Sequence, residues 1–210
     1  MMKNILEAPF LIEMVRTCTN MYQHGWDERN GGNISWLLDE TDAAEYLDVN
    51  AAVRDIPTGF EAPTLDGKYF LVTGTGEYFK NVQYDPARSL GVVRLSQGGR
   101  NARLLWGLTG GGTFTSEFPA HMMSHAARLS VDPANRIVMH CHPANLLAMT
   151  YVHDLGSRAF TRTLWQMCTE CVVVFPEGVN VLPWINTITD EQLHLLEKRF
   201  NVQARPGFLD

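Results

Sequence analysis

Three residues in the middle of the chain, His140-Cys141-His142, place two imidazoles two positions apart. On a strand, residues two apart point to the same face, roughly 6.5 to 7 Å apart along the backbone, so both rings can converge on one metal ion. The spacing alone equally allows two histidines that face solvent or polar neighbours. Glu117 follows the glycine-rich stretch Gly110-Gly111-Gly112-Thr113-Phe114-Thr115-Ser116, where a carboxylate serves as a metal ligand, an acid/base or a charge at a helix start. Asn30-Gly31-Gly32-Asn33 and Thr73-Gly74-Thr75-Gly76 offer amides and hydroxyls of the kind that hold phosphate, or form plain turns.

Other chemistries lack their signatures. Gly74-Thr75-Gly76 is not continued as G-x-G-x-x-G, since Phe79 stands where the next glycine belongs, and the chain contains neither G-x-x-x-x-G-K-[ST] nor G-x-S-x-G. His121 and His125 are four apart, as in H-E-x-x-H, but Met122 occupies the glutamate position, which argues against a metalloprotease. His24, His153 and His194 read as structural or surface histidines. Cys18, Cys141, Cys168 and Cys171 are too few for a disulfide framework. Cys168 and Cys171 have C-x-x-C spacing without the second ligand pair a zinc site wants.

These residues need elements to position them. Pro9 with Phe10, Leu11, Met14, Val15 and Cys18 predicts a first helix that stops at Gly25. Strands are expected over Ile34 to Leu38, Tyr69 to Thr73, Gly91 to Leu95, Ala102 to Trp106, Arg136 to His142 and Cys171 to Phe175. The third and fourth of these make a hairpin around Gln97-Gly98-Gly99-Arg100. Ser116 is the expected cap of a helix reaching about Leu129. A further helix opens at Pro143, and Thr189 caps a terminal one. Hairpins mixed with crossover helices predict one α/β domain over residues 1–210, with three α/β/α layers around a mainly antiparallel mixed sheet.

Composition bounds the partners. Seventeen Lys and Arg stand against 23 Asp and Glu, a net charge of −6, with no basic cluster for nucleic acid. No apolar run approaches the ~20 residues that span a bilayer, and the first residues do not read as a signal peptide. The expected location is the cytoplasm.

Together, Gly25-Trp26-Asp27-Glu28-Arg29-Asn30-Gly31-Gly32-Asn33, Thr73-Gly74-Thr75-Gly76, Thr115-Ser116-Glu117 and His140-Cys141-His142 resemble the class II aldolase/adducin-like family. Leu105-Trp106-Gly107-Leu108-Thr109 and Thr169-Glu170-Cys171-Val172-Val173-Val174-Phe175-Pro176 point to its branch acting on L-rhamnulose 1-phosphate. The resemblance implies zinc-dependent retro-aldol cleavage to dihydroxyacetone phosphate and L-lactaldehyde, with one Zn2+ per subunit. It makes His140 and His142 two of three histidine ligands, and Glu117 the acid/base at the enediolate carbon. Asn30, Gly32, Asn33, Thr75, Gly76, Thr115 and Ser116 match phosphate-loop positions. Glu170 matches a carboxylate acting across a subunit interface on the aldehyde-side hydroxyl, in a homotetramer with sites between neighbours. Alternatives within the fold are another sugar-phosphate aldolase or epimerase, or a non-catalytic adducin-like scaffold.

One departure is plain. Near Asn186, around residues 185–188, the chain passes directly into Thr187-Ile188-Thr189-Asp190-Glu191, where family members carry a long helix, a strand with the third histidine ligand and another helix. Losing a central strand and its covering helices would expose core surface worth more than the ~5–15 kcal/mol that keeps a domain folded. That argument favours residues omitted from the sequence as written over a real deletion.

Overall fold

A computed structural model describes residues 2–182 of the chain. The terminal helix expected from Thr189 and the family segment expected near Asn186 lie outside the described residues. The chain divides into two compact units, Met1–Pro143 and Ala144–Asp210.

The first unit runs α1 (Pro9–Gln23), β1 (Asn33–Leu38), α2 (Glu40–Ala44), β2 (Arg54–Pro57), β3 (Tyr69–Thr73), α3 (Phe79–Val82), α4 (Pro86–Ser89), β4 (Leu90–Ser96), β5 (Asn101–Gly107), α5 (Phe118–Val131) and β6 (Ile137–His140). The six strands form one sheet in the order β2-β5-β4-β3-β1-β6. Each described pairing is antiparallel, so the expected mixed sheet is antiparallel throughout these strands.

Period-2 alternation divides the sheet into two chemically distinct faces. Ile34 and Leu38 of β1, Leu71 of β3 and Leu90 and Val92 of β4 join the buried face of α1 in one apolar cluster. Helix α1 meets them with Phe10, Leu11, Met14, Cys18 and Met21, a helical stripe, and Pro9 opens the helix where its missing N–H costs nothing. The intervening residues face the other way: Phe70 of β3 lies 5.0 Å, ring to ring, from His125 of α5. Helices therefore cover both faces of the sheet, an α/β/α sandwich.

Several elements depart from expectation for local reasons. Helix α5 is capped at Glu117, not Ser116, and Pro119 falls in its first turn. Strand β6 ends at His140 rather than His142, because the His142 amide turns away to donate to the Trp26 carbonyl at 2.7 Å. The acidic region after Asp39 contains α2, and beyond it lies β2. That strand gives little periodic signal because only its Ile56 is fully buried.

The second unit begins with α6 (Ala144–Met149), α7 (Ser157–Met167) and α8 (Thr169–Val174). Helix α8 replaces the strand expected over Cys171 to Phe175. A strand needs a ladder partner, and none is present among the described residues of this unit. The backbone satisfies itself locally instead, with Cys171 N–H donating to Cys168 and Phe175 N–H to Cys171. Val173 and Val174 are consequently 77% and 75% exposed. No described helix is long and apolar enough to cross a membrane.

Leu71 is fully buried where β3 meets α1. Leu71→Ala is expected to lower unfolding free energy by about 2–5 kcal/mol, measured by urea titration, through lost transfer energy and the cavity left behind.

Candidate active site

The antiparallel order brings the start of β1 and the ends of β3 and β6 to one edge of the sheet. Asn33 pairs with His140, so their side chains share a face, and Ser35, two residues on, shares it too. Across from them, Glu117, His121 and His125 recur every four residues and line one side of α5 and its cap. A helical stripe with period four thus lies against a strand stripe with period two.

Hydrogen bonds join the two stripes. Glu117 Oε2 lies 2.8 Å from His140 Nδ1, and Asn33 Nδ2 is 3.2 Å from the same ring nitrogen. Asn33 Oδ1 meets His121 Nε2 at 2.5 Å. Ser35 Oγ lies 2.7 Å from His121 Nδ1 and 2.8 Å from His125 Nε2. The rings of His140 and His142 are 4.8 Å apart, centroid to centroid. His142 is held from below: an added Cβ on Gly31 would lie 2.6 Å from His142 Nδ1, so this backbone approach needs glycine.

Electrostatics follow from the same contacts. The hydrogen bond from His140 holds the Glu117 carboxyl below its usual range, and a bond from Asn33 adds to it against partial burial. Burial pushes His121 and His125 down to about 4, which leaves both imidazoles neutral near pH 7. Asp27, buried beneath the Gly31-Gly32 turn, accepts the Gly32 amide at 2.7 Å, and burial raises its carboxyl above the ordinary value.

The expected phosphate positions fall on two neighbouring loops and the adjacent turn. Gly74 bridges Phe114, Thr75 N–H donates to Thr113, and Thr115 N–H donates to Thr73, so the Thr73–Gly76 and Thr113–Ser116 segments run side by side. Arg54 secures the second loop by donating to the carbonyls of Leu108 and Gly112. The amides of Gly32, Thr75 and Thr115 are engaged within the protein, which removes them as phosphate donors in this arrangement. Thr75, Gly76, Ser116 and Asn30 are exposed. Asn33 turns instead toward His140, Glu117 and His121. Glu170 belongs to the second unit, where its exposed carboxylate takes a 2.9 Å hydrogen bond from Cys168 Sγ.

As a metal site the donors fit in type: two imidazoles beside a carboxylate are what zinc takes. Their number falls short, since no group of three or more His, Cys, Asp or Glu among the described residues is arranged to hold an ion.

Comparison with known proteins decides the family. Residues 12–207 match the family described as the Class II Aldolase and Adducin N-terminal domain. The chain belongs to that family. Over 191 residues it is 62% identical to a Listeria monocytogenes rhamnulose-1-phosphate aldolase, covering 91% of this chain and 70% of that protein. An Enterococcus faecalis rhamnulose-1-phosphate aldolase is 55% identical over 188 residues, covering 90% and 67%. The crystal structure of a sugar-phosphate aldolase from Thermotoga maritima superposes with a TM-score of 0.73 at 25% identity, covering 90% of this chain and 75% of that one. The class II aldolase fold expected from the motifs is the fold observed.

Sequence reasoning passed over Ser35 and Asp27, and read His121 and His125 only as a failed protease motif. The signal was available in the four-residue recurrence of Glu117, His121 and His125, opposite the two-residue recurrence of Asn33 and Ser35.

Two neutral buried imidazoles have a consequence for stability. Each binds a proton near pH 6.5 when unfolded but only near 4 when folded, so the unfolded chain holds more protons between those values. Their contribution is present above about pH 6.5 and is lost as pH falls toward 4. Urea midpoints are expected to decline across that window, and about half as steeply in His125→Gln.

Proposed function

We propose that the chain cleaves L-rhamnulose 1-phosphate to dihydroxyacetone phosphate and L-lactaldehyde by a zinc-dependent retro-aldol reaction in the cytoplasm. The observation carrying this reading is the Glu117 carboxylate hydrogen-bonded at 2.8 Å to His140, whose ring neighbours that of His142. The Listeria and Enterococcus relatives, both rhamnulose-1-phosphate aldolases, support the choice of substrate.

Breaking the bond between carbons 3 and 4 leaves an electron pair on carbon 3, spread over an enediolate. Zinc held by His140 and His142 would supply positive charge against the enediolate oxygens. Glu117 is the proton carrier at carbon 3. In cleavage Glu117, having taken up a proton from solvent, delivers it to carbon 3 as the enediolate becomes dihydroxyacetone phosphate, and is left as the carboxylate that hydrogen bonds from His140 and Asn33 favour. In the synthetic direction that carboxylate takes the proton back. The hydroxyl proton on the aldehyde side is assigned to Glu170, acting in a neighbouring subunit's site within a homotetramer. The exposed groups of Asn30, Thr75, Gly76 and Ser116, with the Thr115 hydroxyl, would receive the phosphate with little formal positive charge.

The short donor set favours one second reading, a non-catalytic scaffold of the same fold. Zinc content of the purified chain separates the two, because a scaffold has no need of stoichiometric metal.

A coupled assay for dihydroxyacetone phosphate tests the proposal. The zinc-loaded chain is expected to turn over L-rhamnulose 1-phosphate in preference to other ketose 1-phosphates, and Glu117→Ala to lower kcat by about 10²–10⁴-fold. No product release from L-rhamnulose 1-phosphate by zinc-loaded protein would overturn it.

A further inference from the structure

The pair of histidines on α5 has no part in the proposed chemistry, yet both are almost fully buried, at 2% and 0% exposure, and a path of hydrogen bonds joins them to Asn33. Proton bookkeeping along that path admits one consistent direction. The Asn33 carboxamide turns Nδ2 toward His140 Nδ1 and the Glu117 carboxylate that this nitrogen meets, which leaves its Oδ1 facing α5 as an acceptor. His121 therefore donates to it through Nε2–H. A neutral His121 then has a bare Nδ1, which accepts the Ser35 hydroxyl, and Ser35 Oγ in turn accepts Nε2–H of His125.

The far end of the chain agrees with that assignment. His125 Nδ1 is buried with no hydrogen-bond partner among the described residues. A bare lone pair is tolerable there, whereas an N–H aimed into apolar packing beside Phe70 would be left without an acceptor. Reversing the direction would turn an N–H of His121 against Ser35 and leave two acceptors, its Nε2 and Asn33 Oδ1, facing each other at 2.5 Å. Burial keeps both rings neutral, so each has one N–H and one bare nitrogen to place along the path.

We propose that His121, braced by His125 through Ser35, is a positioning residue that locks the Asn33 carboxamide with its NH2 group toward Glu117. An amide flips at little intrinsic cost, and a flipped Asn33 would present oxygen to the Glu117 carboxylate. The ring N–H of His121 makes the productive orientation the only one that satisfies both ends. The role in turnover rests on the proposed reaction, while the lock on Asn33 does not.

Two substitutions separate positioning from bulk. His121→Gln sets a carboxamide N–H near the place of ring Nε2, within reach of Asn33, whereas His121→Asn reaches only the place of Nδ1, against Ser35. The readouts are the Asn33 side-chain amide signals in protein labelled with 15N-asparagine, and kcat and KM for dihydroxyacetone phosphate release, corrected for folded fraction. His121→Asn is expected to move the Asn33 signals and lower kcat by about 10–100-fold with KM changed less than about threefold. His121→Gln is expected to restore the signals and recover kcat to within about threefold of wild type. Unmoved Asn33 signals in His121→Asn, or equal losses in both variants tracking only their melting temperatures, would overturn the proposal. Wild-type protein that releases no product, while the Asn33 signals respond as expected, supports the lock and overturns only the assigned reaction.

Discussion

A polar seam buried between α5 and the sheet governs the architecture around the site. Ser35, Asn33, His121 and His125 sit where an apolar core would ordinarily continue, and every hydrogen bond among them must be made because water is excluded. That requirement fixes the rotation of α5 about its axis and its height above β1. Either a slip of one residue in β1 or a turn of the helix would strand donors in a low-dielectric layer. The seam has the geometry to hold Glu117 against His140.

Antiparallel topology explains why this edge of the sheet collects chemistry. The beginning of β1, the end of β3 and the end of β6 meet there, each continuing into a loop that the sheet holds in place. The Asn30–Asn33 turn is clamped by the Asp27 carboxylate and closed over by His142. The Thr113–Ser116 segment is bound to the end of β3 on one side, and its glycine-rich approach is tethered by Arg54. Strand β6 thus carries His140 and the start of α5 carries Glu117, while turns and loops with restricted backbones carry His142 and the hydroxyls.

Legibility in the sequence followed how each element earns its stability. Helix α1 and strands β1, β3, β4 and β5 were readable within a residue or two, because α1 buries one periodic stripe and the strands are short apolar runs buried along most of their length. Strand β2 buries little and left no pattern. The valine run of α8 reads as a strand by propensity, but propensity is overruled where no ladder partner is at hand. For the site, His140, His142 and Glu117 were visible as types and spacing. The convergence of Asn33 upon them was not, since it depends on the register between β1 and β6. Least legible were Ser35, His121 and His125, whose meaning lies in two different periodicities facing each other across a helix–sheet interface.

On the proposed reaction, His140 and His142 would share one metal ion beside Glu117. Anomalous diffraction at the zinc edge, from crystals of the chain grown with zinc, tests it most directly. One strong peak per chain is expected, bonded to both imidazoles and adjacent to the Glu117 carboxylate. A peak bound elsewhere, or the two rings turned apart with no metal between them, would contradict it.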